Sequence, residues 1–501
     1  MFNLKGFLQL SKEAKIPELK GWVKEANETI LKKGADLKVS KPSKITVAEI
    51  KKDRLYLTIE GEYPRPHDAL QRFRKFFAEK AGKEHKIGVR GQIAEEYSAV
   101  FELEQKALKT VSVPFAEVKI DGKKCSLKFK DLTEDFLQKN YIDRIMNLVK
   151  EKIKYQFYEG KDEFSQTTWT GKERPTKYRS DPSEDLENKL WIKRTASKGQ
   201  WVIGREFTVF LNSLKTLMKE NVFKKLGFQE MIFPKFEYWD YPKGSGHANT
   251  IYPNAYFVMV PKNSSTEFWE PVSDHYKITK EIDKKGILER VESVGIMSYA
   301  QCPPFWALLQ QSTVDESSLP LKVFDWSGPT YRNEAGGTHG LDRLEEFRRI
   351  EMIWVAKKED EIKIWKDIVE SLKNFYDKVL DLEIRTDRVT PWWMAHAGIR
   401  TDKGTDEMGT IDFNAYLPYR GDRKQEWLEI QNASSNGIKY TDGFGVKLPK
   451  GELWSGCAGA GLDRIAVALL AQKGVNPKDW PSALTDLVLP DLQNINPLKL
   501  L

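Results

Sequence analysis

The chain has 501 residues, 40% of them hydrophobic and 31% charged, a balance that supports a globular core and excludes fibrous, collagen-like and wholly disordered classes. No run approaches the ~18 apolar residues that a membrane span needs, and this length predicts two large domains or three smaller ones. The net charge of +7 is unevenly placed: residues 1–160 hold 33 Lys and Arg against 24 Asp and Glu, and the rest of the chain is slightly acidic.

In chain order, ITVAEI, RLYLTIEGEY, VSVPFAEVKI and KKCSLKFK alternate as strands of an antiparallel sheet. ALQRFRKFFAEKAG and DFLQKNYIDRIMNLVKEKIKY each carry one apolar stripe and predict helices. Residues 161–200 are polar, with two Pro and little apolar periodicity, and predict a connector. The expected organisation is an N-terminal basic domain at 1–165, a linker at 166–200 and a second domain at 201–501. Beyond the linker, EFTVFLNSLKTLMKENVFKKLGFQEMIFPKF predicts a long amphipathic helix ending near Gly227 and a short strand stopping at Pro234. Residues 238–298 are rich in Pro, Gly and aromatics and read as irregular. Strands and helices then alternate through LKVFDWSGPTYRNEA, DRLEEFRRIEMIWVA, KDIVESLKNFYDKVL and EWLEIQNASS. GCAGAGLDRIAVALLAQKG predicts a glycine bend opening an apolar helix.

A basic module beside a neutral one points to a polyanion-binding arm on a separate core; a lysine-rich surface that only favours solubility is the plainer reading. The N-terminus shows no basic leader and no small-residue cleavage pattern, so no secretory signal is expected. Three cysteines, Cys125, Cys302 and Cys457, exclude a disulfide framework and fit a reducing cytosol.

The chemistry concentrates in GPTYRNEAGGTHGLDRLEEFRRIEMIWV. Phe347, Arg349 and Glu351 are spaced by two and share one strand face. With Arg332 and Glu334 on a partner strand, that face would combine cations, a carboxylate and an aromatic ring. Guanidinium groups suit phosphate through paired charge-assisted bonds. Composition alone is equally consistent with a solvated charged hairpin. The run GAGLDR is not G-x-G-x-x-G within a βαβ unit, and no Walker lysine follows it.

Tyr331-Arg332-Asn333-Glu334, the loop after it and Phe347 to Glu351 resemble motif 2 of the class II aminoacyl-tRNA synthetases (328–355). Gly459-Ala460-Gly461-Leu462-Asp463-Arg464 with its helix resembles motif 3 (456–472), and the helix ending at Gly227 resembles motif 1 (205–234). Within that class the chain is similar to the seryl-tRNA synthetases of methanogens, on Tyr299-Ala300-Gln301-Cys302-Pro303-Pro304, Arg348-Arg349-Ile350-Glu351-Met352, Glu429 to Asn436, and Cys457. The resemblance implies an α+β protein: an antiparallel-sheet catalytic core flanked by helices, with a separate mixed N-terminal tRNA-binding domain. It also implies a homodimer in the cytoplasm without membrane contact. Its substrates would be ATP, L-serine and tRNA(Ser), with tRNA(Sec) as a further one.

Residue by residue, the resemblance assigns ATP to Arg332, Asn333, Glu334, Arg343, Leu344, Phe347, Glu429 and Arg464. Arg332 and Arg464 would be catalytic, and Glu429 would carry Mg²⁺. Serine would meet Ala300, Arg332, Glu351 and Asn432. The common seryl enzymes read Thr-Ala-Glu before the proline, and that glutamate meets the substrate ammonium; here Ala300-Gln301-Cys302 stands instead. From spacing alone, Cys302 and Cys457 read as buried apolar fillers. The resemblance instead implies one zinc ion per subunit on Cys302, Glu351 and Cys457, with an open position for a deprotonated amine. Glu346, Arg349 and His339 receive no firm role, and Trp392-Trp393 within 390–410 reads equally as a lid or a packed loop. Threonyl- or prolyl-type synthetases and a non-charging paralogue are the alternatives. The threonyl type needs histidine ligands, which this chain does not place there, and such a paralogue should have lost Arg332 or Arg464.

Overall fold

The computed structural model describes residues 1–34, 41–156, 165–334, 336–390, 409–424, 426–496 and 498. The chain divides into two compact units, Met1–Lys161 and Asp162–Leu501.

The first unit is a six-stranded antiparallel sheet made of β1 (Phe2–Leu10), β2 (Lys44–Lys51), β3 (Arg54–Gly61), β4 (Val89–Glu102), β5 (Ala116–Asp121) and β6 (Lys124–Phe129), in the order β2-β3-β1-β4-β6-β5. Strand β3 buries Leu55, Leu57 and Ile59 at period two. The helix Pro66–His85 packs Phe73 and Phe77 into the same core. The predicted strands and helices recur here, but β1, β4 and the helix Leu19–Glu28 are additional to them, and one predicted helix is divided. Strand β1 holds a central place between β3 and β4; its sequence alternates, burying Phe2, Leu4, Gly6, Leu8 and Leu10, with Phe7 the one buried residue out of step. The single helix expected over 135–155 is two, Glu134–Gln138 and Tyr141–Gln156. Asn140 breaks it at φ 58°, a left-handed conformation that asparagine tolerates well.

The second unit contributes β7 (Ser165–Thr170), β8 (Ile192–Arg194), β9 (Trp201–Ile203), β10 (Gln229–Glu230), β11 (Phe236–Tyr238), β12 (Phe257–Pro261), β13 (Val291–Met297), β14 (Leu321–Asp325), β15 (Pro329–Tyr331), β16 (Glu346–Lys357), β17 (Ile384–Val389), β18 (Gly409–Tyr416), β19 (Trp427–Gly437) and β20 (Leu453–Gly461). Its main sheet runs β10-β14-β16-β20-β19-β18-β17-β7, with β15 on β16. All pairs are antiparallel except β10 with β14.

Three expectations change. Residues 166–200 are not a free linker: β7 hydrogen-bonds to β17, and helix Pro182–Asn188 and the β8–β9 pair follow. Their polar sequence reflects the edge position of β7, which needs backbone pairing but buries little. Residues 238–298 are not irregular: they hold the sheet β11-β13-β12 and helices Asp240–Ser245, Thr266–Thr279 and Lys284–Arg290. Prolines at element ends, and Pro271 inside a helix, hide these elements from a periodicity reading. The glycines of GCAGAG form no bend; they run straight through β20. A Cβ on Gly456 would fall 2.1 Å from the Trp354 ring, and one on Gly459 would fall 1.8 Å from the Arg349 guanidinium. Space, rather than turn formation, requires glycine there.

The helix Arg205–Met218 continues through a wide turn to Leu226 and is closed by Gly227 at φ 73° before β10, as expected. Helix Leu462–Lys473 lies against β16 and β19, and Lys358–Asn374 lies against β16, β19 and β20. Glu361 of the latter helix is fully buried. Its carboxyl accepts Trp354 Nε1 from β16 at 2.9 Å and Ser435 Oγ from β19 at 2.8 Å.

Burial pushes the Glu361 carboxyl up to about 7 from its ordinary 4.5. The folded state therefore holds this proton more tightly than the unfolded chain, and the stabilisation present below pH 4.5 is lost as pH rises through 7. Glu361→Gln is expected to flatten that part of the stability–pH curve, which amounts to on the order of 3 kcal/mol. Denaturant unfolding between pH 4.5 and 7.5 checks this; an unchanged slope would refute it.

Candidate active site

A cavity of about 320 Å³ opens over the face of β16 that presents Phe347, Arg349 and Glu351. The register explains the floor. Arg349, Glu351 and Ile353 lie opposite Gly461, Gly459 and Cys457 of β20. Gly459 leaves room for the Arg349 side chain, and Cys457 is the next position on the same face. Strand β19 adds Glu429, Asn432 and Ser434. The turn before helix Cys302–Phe305 adds Tyr299, Ala300 and Cys302.

At one end, Cys302, Glu351 and Cys457 place one ligand atom each within 4.8 Å of one another. Glu351 is fully buried; its Oε2 accepts Arg349 Nε at 2.6 Å, and its Oε1 has no partner. A hydrogen bond to Cys457, burial and the nearby charges of Cys457 and Glu351 push the Cys302 thiol well up. Burial alone lowers Arg349, but the charge and hydrogen bond of Glu351 more than reverse this and hold it raised. Two sulfurs, an orphaned buried carboxylate oxygen and mutual proximity fit a divalent ion of zinc type. This is the grouping the resemblance implied; Cys302 also belongs to a hydrophobic cluster against which Cys457 packs.

At the other end lies Arg332. Its guanidinium sits 4.4 Å from the Tyr299 ring centroid and 5.8 Å from that of Phe347. Burial pulls its pKa down, and Arg349 and Arg464 add to this. Among the described residues no carboxylate forms an ion pair with it. A buried cation without a counter-ion is costly unless an anion arrives. Arg464, at the start of helix Leu462–Lys473, donates to the backbone carbonyls of Asp342 at 3.0 Å and Glu429 at 2.9 Å. Asp463 beside it accepts the Arg348 backbone N–H at 2.7 Å and Arg348 Nε at 2.8 Å, which ties that helix to β16.

Of the expected site residues, Ala300, Cys302, Arg332, Glu334, Leu344, Phe347, Glu351, Glu429, Asn432, Cys457 and Arg464 line the cavity. Asn333 and Arg343 do not. Asn333 Nδ2 donates to Pro253 O at 2.9 Å, and Arg343 Nε pairs with Glu334 Oε2 at 3.1 Å. Asn333 lies beyond the end of β15, where its backbone N–H donates to Asn254 O at 2.9 Å and its side chain turns to Pro253. Gln301 also turns away, donating to Gly328 O at 2.9 Å. Trp392 and Trp393 lie outside the described residues. His247, Thr250, Ile251, Tyr299, Asp342 and Tyr440 line the cavity unforeseen. Tyr299 and Asp342 fall within the quoted motif stretches without a role of their own, whereas His247, Thr250, Ile251 and Tyr440 belong to segments without any motif.

Comparison with known proteins agrees with both units. Residues 1–151 match a family described as a tRNA-binding domain. Residues 292–448 match the tRNA synthetase class II core domain (G, H, P, S and T). A type-2 serine–tRNA ligase from Methanococcoides burtonii is 40% identical over 487 residues, covering 96% of each chain. One from Methanothrix thermoacetophila is 38% identical, again over 96% of each. The structure also superposes on M. kandleri SerRS, crystallised with A. aeolicus tRNASec, with a TM-score of 0.88 and 28% identity over 98% of this chain and 97% of that one.

Arg348→Met leaves the buried Asp463 carboxylate only its backbone donor. A loss of about 2–3 kcal/mol is expected, read as a lower denaturant midpoint at unchanged m-value. A variant as stable as the parent would show that this pair does not join helix and strand.

Proposed function

The chain belongs to the type-2 serine–tRNA ligases, a group of aminoacyl-tRNA synthetases, and from that membership we propose how this cavity forms seryl-adenylate and passes serine to tRNA. The observation that carries the reading is the cavity's two-ended chemistry: a metal-type cluster at one end and, at the other, a half-buried guanidinium with no carboxylate partner among the described residues.

In the first step a serine carboxylate oxygen attacks the α-phosphorus of ATP. The bond from that phosphorus to the bridging oxygen breaks, and pyrophosphate leaves with the electron pair. This step needs positioning and charge neutralisation more than proton transfer. Arg332 holds the α-phosphate beside the serine carboxylate, where its fixed charge meets the charge that develops. Phe347 and Arg464 flank the adenine ring, Leu344 borders the same cavity, and Glu334 accepts a hydrogen bond from the adenine amino group. Arg343, now on Glu334, must exchange that contact to reach the terminal phosphates. Glu429 carries Mg²⁺. In the second step a ribose hydroxyl at the tRNA 3′ end attacks the seryl carbonyl carbon, and AMP leaves.

Cys302, Glu351 and Cys457 would hold zinc. Bound there, the ion supplies a Lewis-acid position that takes a neutral amine. With Gln301 turned to Gly328, no glutamate contacts the substrate ammonium at that position. Ala300 and Asn432 border the serine site. One methyl group distinguishes threonine, which a pocket rejects by only ~1–3 kcal/mol through contacts alone, so rejection rests on steric closure. The basic residues of the first unit serve the tRNA backbone. The tRNASec complex of the M. kandleri relative supports tRNA(Sec) beside tRNA(Ser) as acceptor. A cytoplasmic homodimer completes the reading; no helix among the described residues is long and apolar enough to cross a membrane.

ATP–pyrophosphate exchange with serine, threonine, proline and alanine is expected to proceed with serine alone. Faster exchange with threonine would overturn the serine assignment, and no exchange with any of them would favour a binding protein. Cys302→Ala is expected to lose zinc and exchange together, with zinc measured by elemental analysis. An active, zinc-free variant would remove the metal from the mechanism.

A further inference from the structure

Each clustered ligand is met by one donor group from this chain. Arg349 Nε reaches Glu351 Oε2 at 2.6 Å, Asn436 Nδ2 reaches Cys457 Sγ at 3.5 Å, and the Tyr440 hydroxyl lies 3.7 Å from Cys302 Sγ. Packing explains Arg349, which crosses the cavity floor above Gly459. It does not explain the other two polar groups. The Tyr440 ring stacks on Trp306 at 5.7 Å and 19°, a contact that a phenylalanine would make equally well. Asn436 is 1% exposed, and its Oδ1 has no partner. A buried amide with an unsatisfied oxygen costs free energy that an apolar residue would not. What the amide gains is its N–H on sulfur.

The direction of these bonds follows from the sulfur chemistry. A thiol can donate or accept, but a sulfur that ligates a metal is deprotonated and only accepts. Tyr440 must then donate to Cys302, as Asn436 donates to Cys457.

We propose that Tyr440 and Asn436 are positioning residues of the metal centre, which aim the two sulfurs at the ion and draw negative charge off them. The inference rests on the zinc reading above. Two thiolates and a carboxylate bring three negative charges to an ion carrying two positive ones. Burial gives the surplus no water to spread into. An N–H and an O–H on the sulfurs, with Arg349 on the carboxylate, take up that surplus. The sulfurs then donate less to the ion, which keeps it a stronger acceptor for the serine amine.

Tyr440→Phe removes one oxygen and keeps the ring on Trp306; Asn436→Leu removes the amide at similar volume. Both are tested in the full chain by competition for zinc against a chromophoric chelator. Each is expected to bind zinc about 10–100-fold more weakly. In cobalt-substituted protein, each should move the sulfur-to-metal charge-transfer band to lower energy. The metal-free variants should melt with the metal-free parent. A parent that binds one zinc, with variants of equal affinity and an unmoved band, overturns this inference and leaves the zinc reading standing. A parent that binds no zinc overturns both. Weaker binding that only tracks a fall in metal-free stability assigns both residues to packing and also overturns it.

Discussion

The pairing of β16 with β20 is the constraint on which the site depends. It sets Arg349, Glu351 and Ile353 opposite Gly461, Gly459 and Cys457. The face alternates strictly, so a slip of one residue would turn Glu351 and Cys457 into the opposite layer and dissolve the cluster. Several features hold that register. Trp354 occupies the space left by Gly456, Arg349 the space left by Gly459, and Asp463 ties Arg348 to the following helix. On the far side Glu361 joins β16 to β19 through Trp354 and Ser435. The polar groups are buried where they fix relative strand positions.

The cavity is a deliberate imbalance of charge. At one end two sulfurs and a carboxylate crowd together, with Arg349 on the carboxylate and the Lys439 ammonium near Cys302. At the other, half-buried Arg332 packs against two aromatic rings. Neither end satisfies the other, because Arg349 is already committed to Glu351. A buried charge without a partner weakens a fold, and such groups concentrate where a ligand supplies the missing charge. Under the proposed reading, an amino acid with a neutral amine beside a triphosphate has the matching pattern, its nitrogen toward the sulfur cluster and its carboxylate toward Arg332.

Much of the second unit was legible because its motifs are local. Arg332, Glu334, Phe347 and Glu351 fall within one hairpin, and alternation predicts their common face. The glycines of β20 were misread because glycine signals a turn as readily as a close approach, and only the positions of Trp354 and Arg349 distinguish the two. The connector at 166–200 looked like a linker because an edge strand gains its partners through backbone atoms, which leave no side-chain signature. In the first unit, β1 alternates apart from Phe7, but its central place comes from pairing with both β3 and β4, which no local pattern encodes.

By itself, the sequence determined the two-part organisation of charge, the order of the three motifs and the kinds of side chain that serve a nucleotide and an amino acid. These are properties of composition and of spacing within single elements. Only the tertiary structure decided that Cys302, Glu351 and Cys457 meet, and that His247, Tyr299 and Tyr440 share their cavity. These residues come from segments far apart in the chain, and their proximity is set by strand order and register, which no local pattern encodes. The donors on the two sulfurs belong to the same category: Asn436 and Tyr440 acquire their meaning from the thiols that folding brings to them.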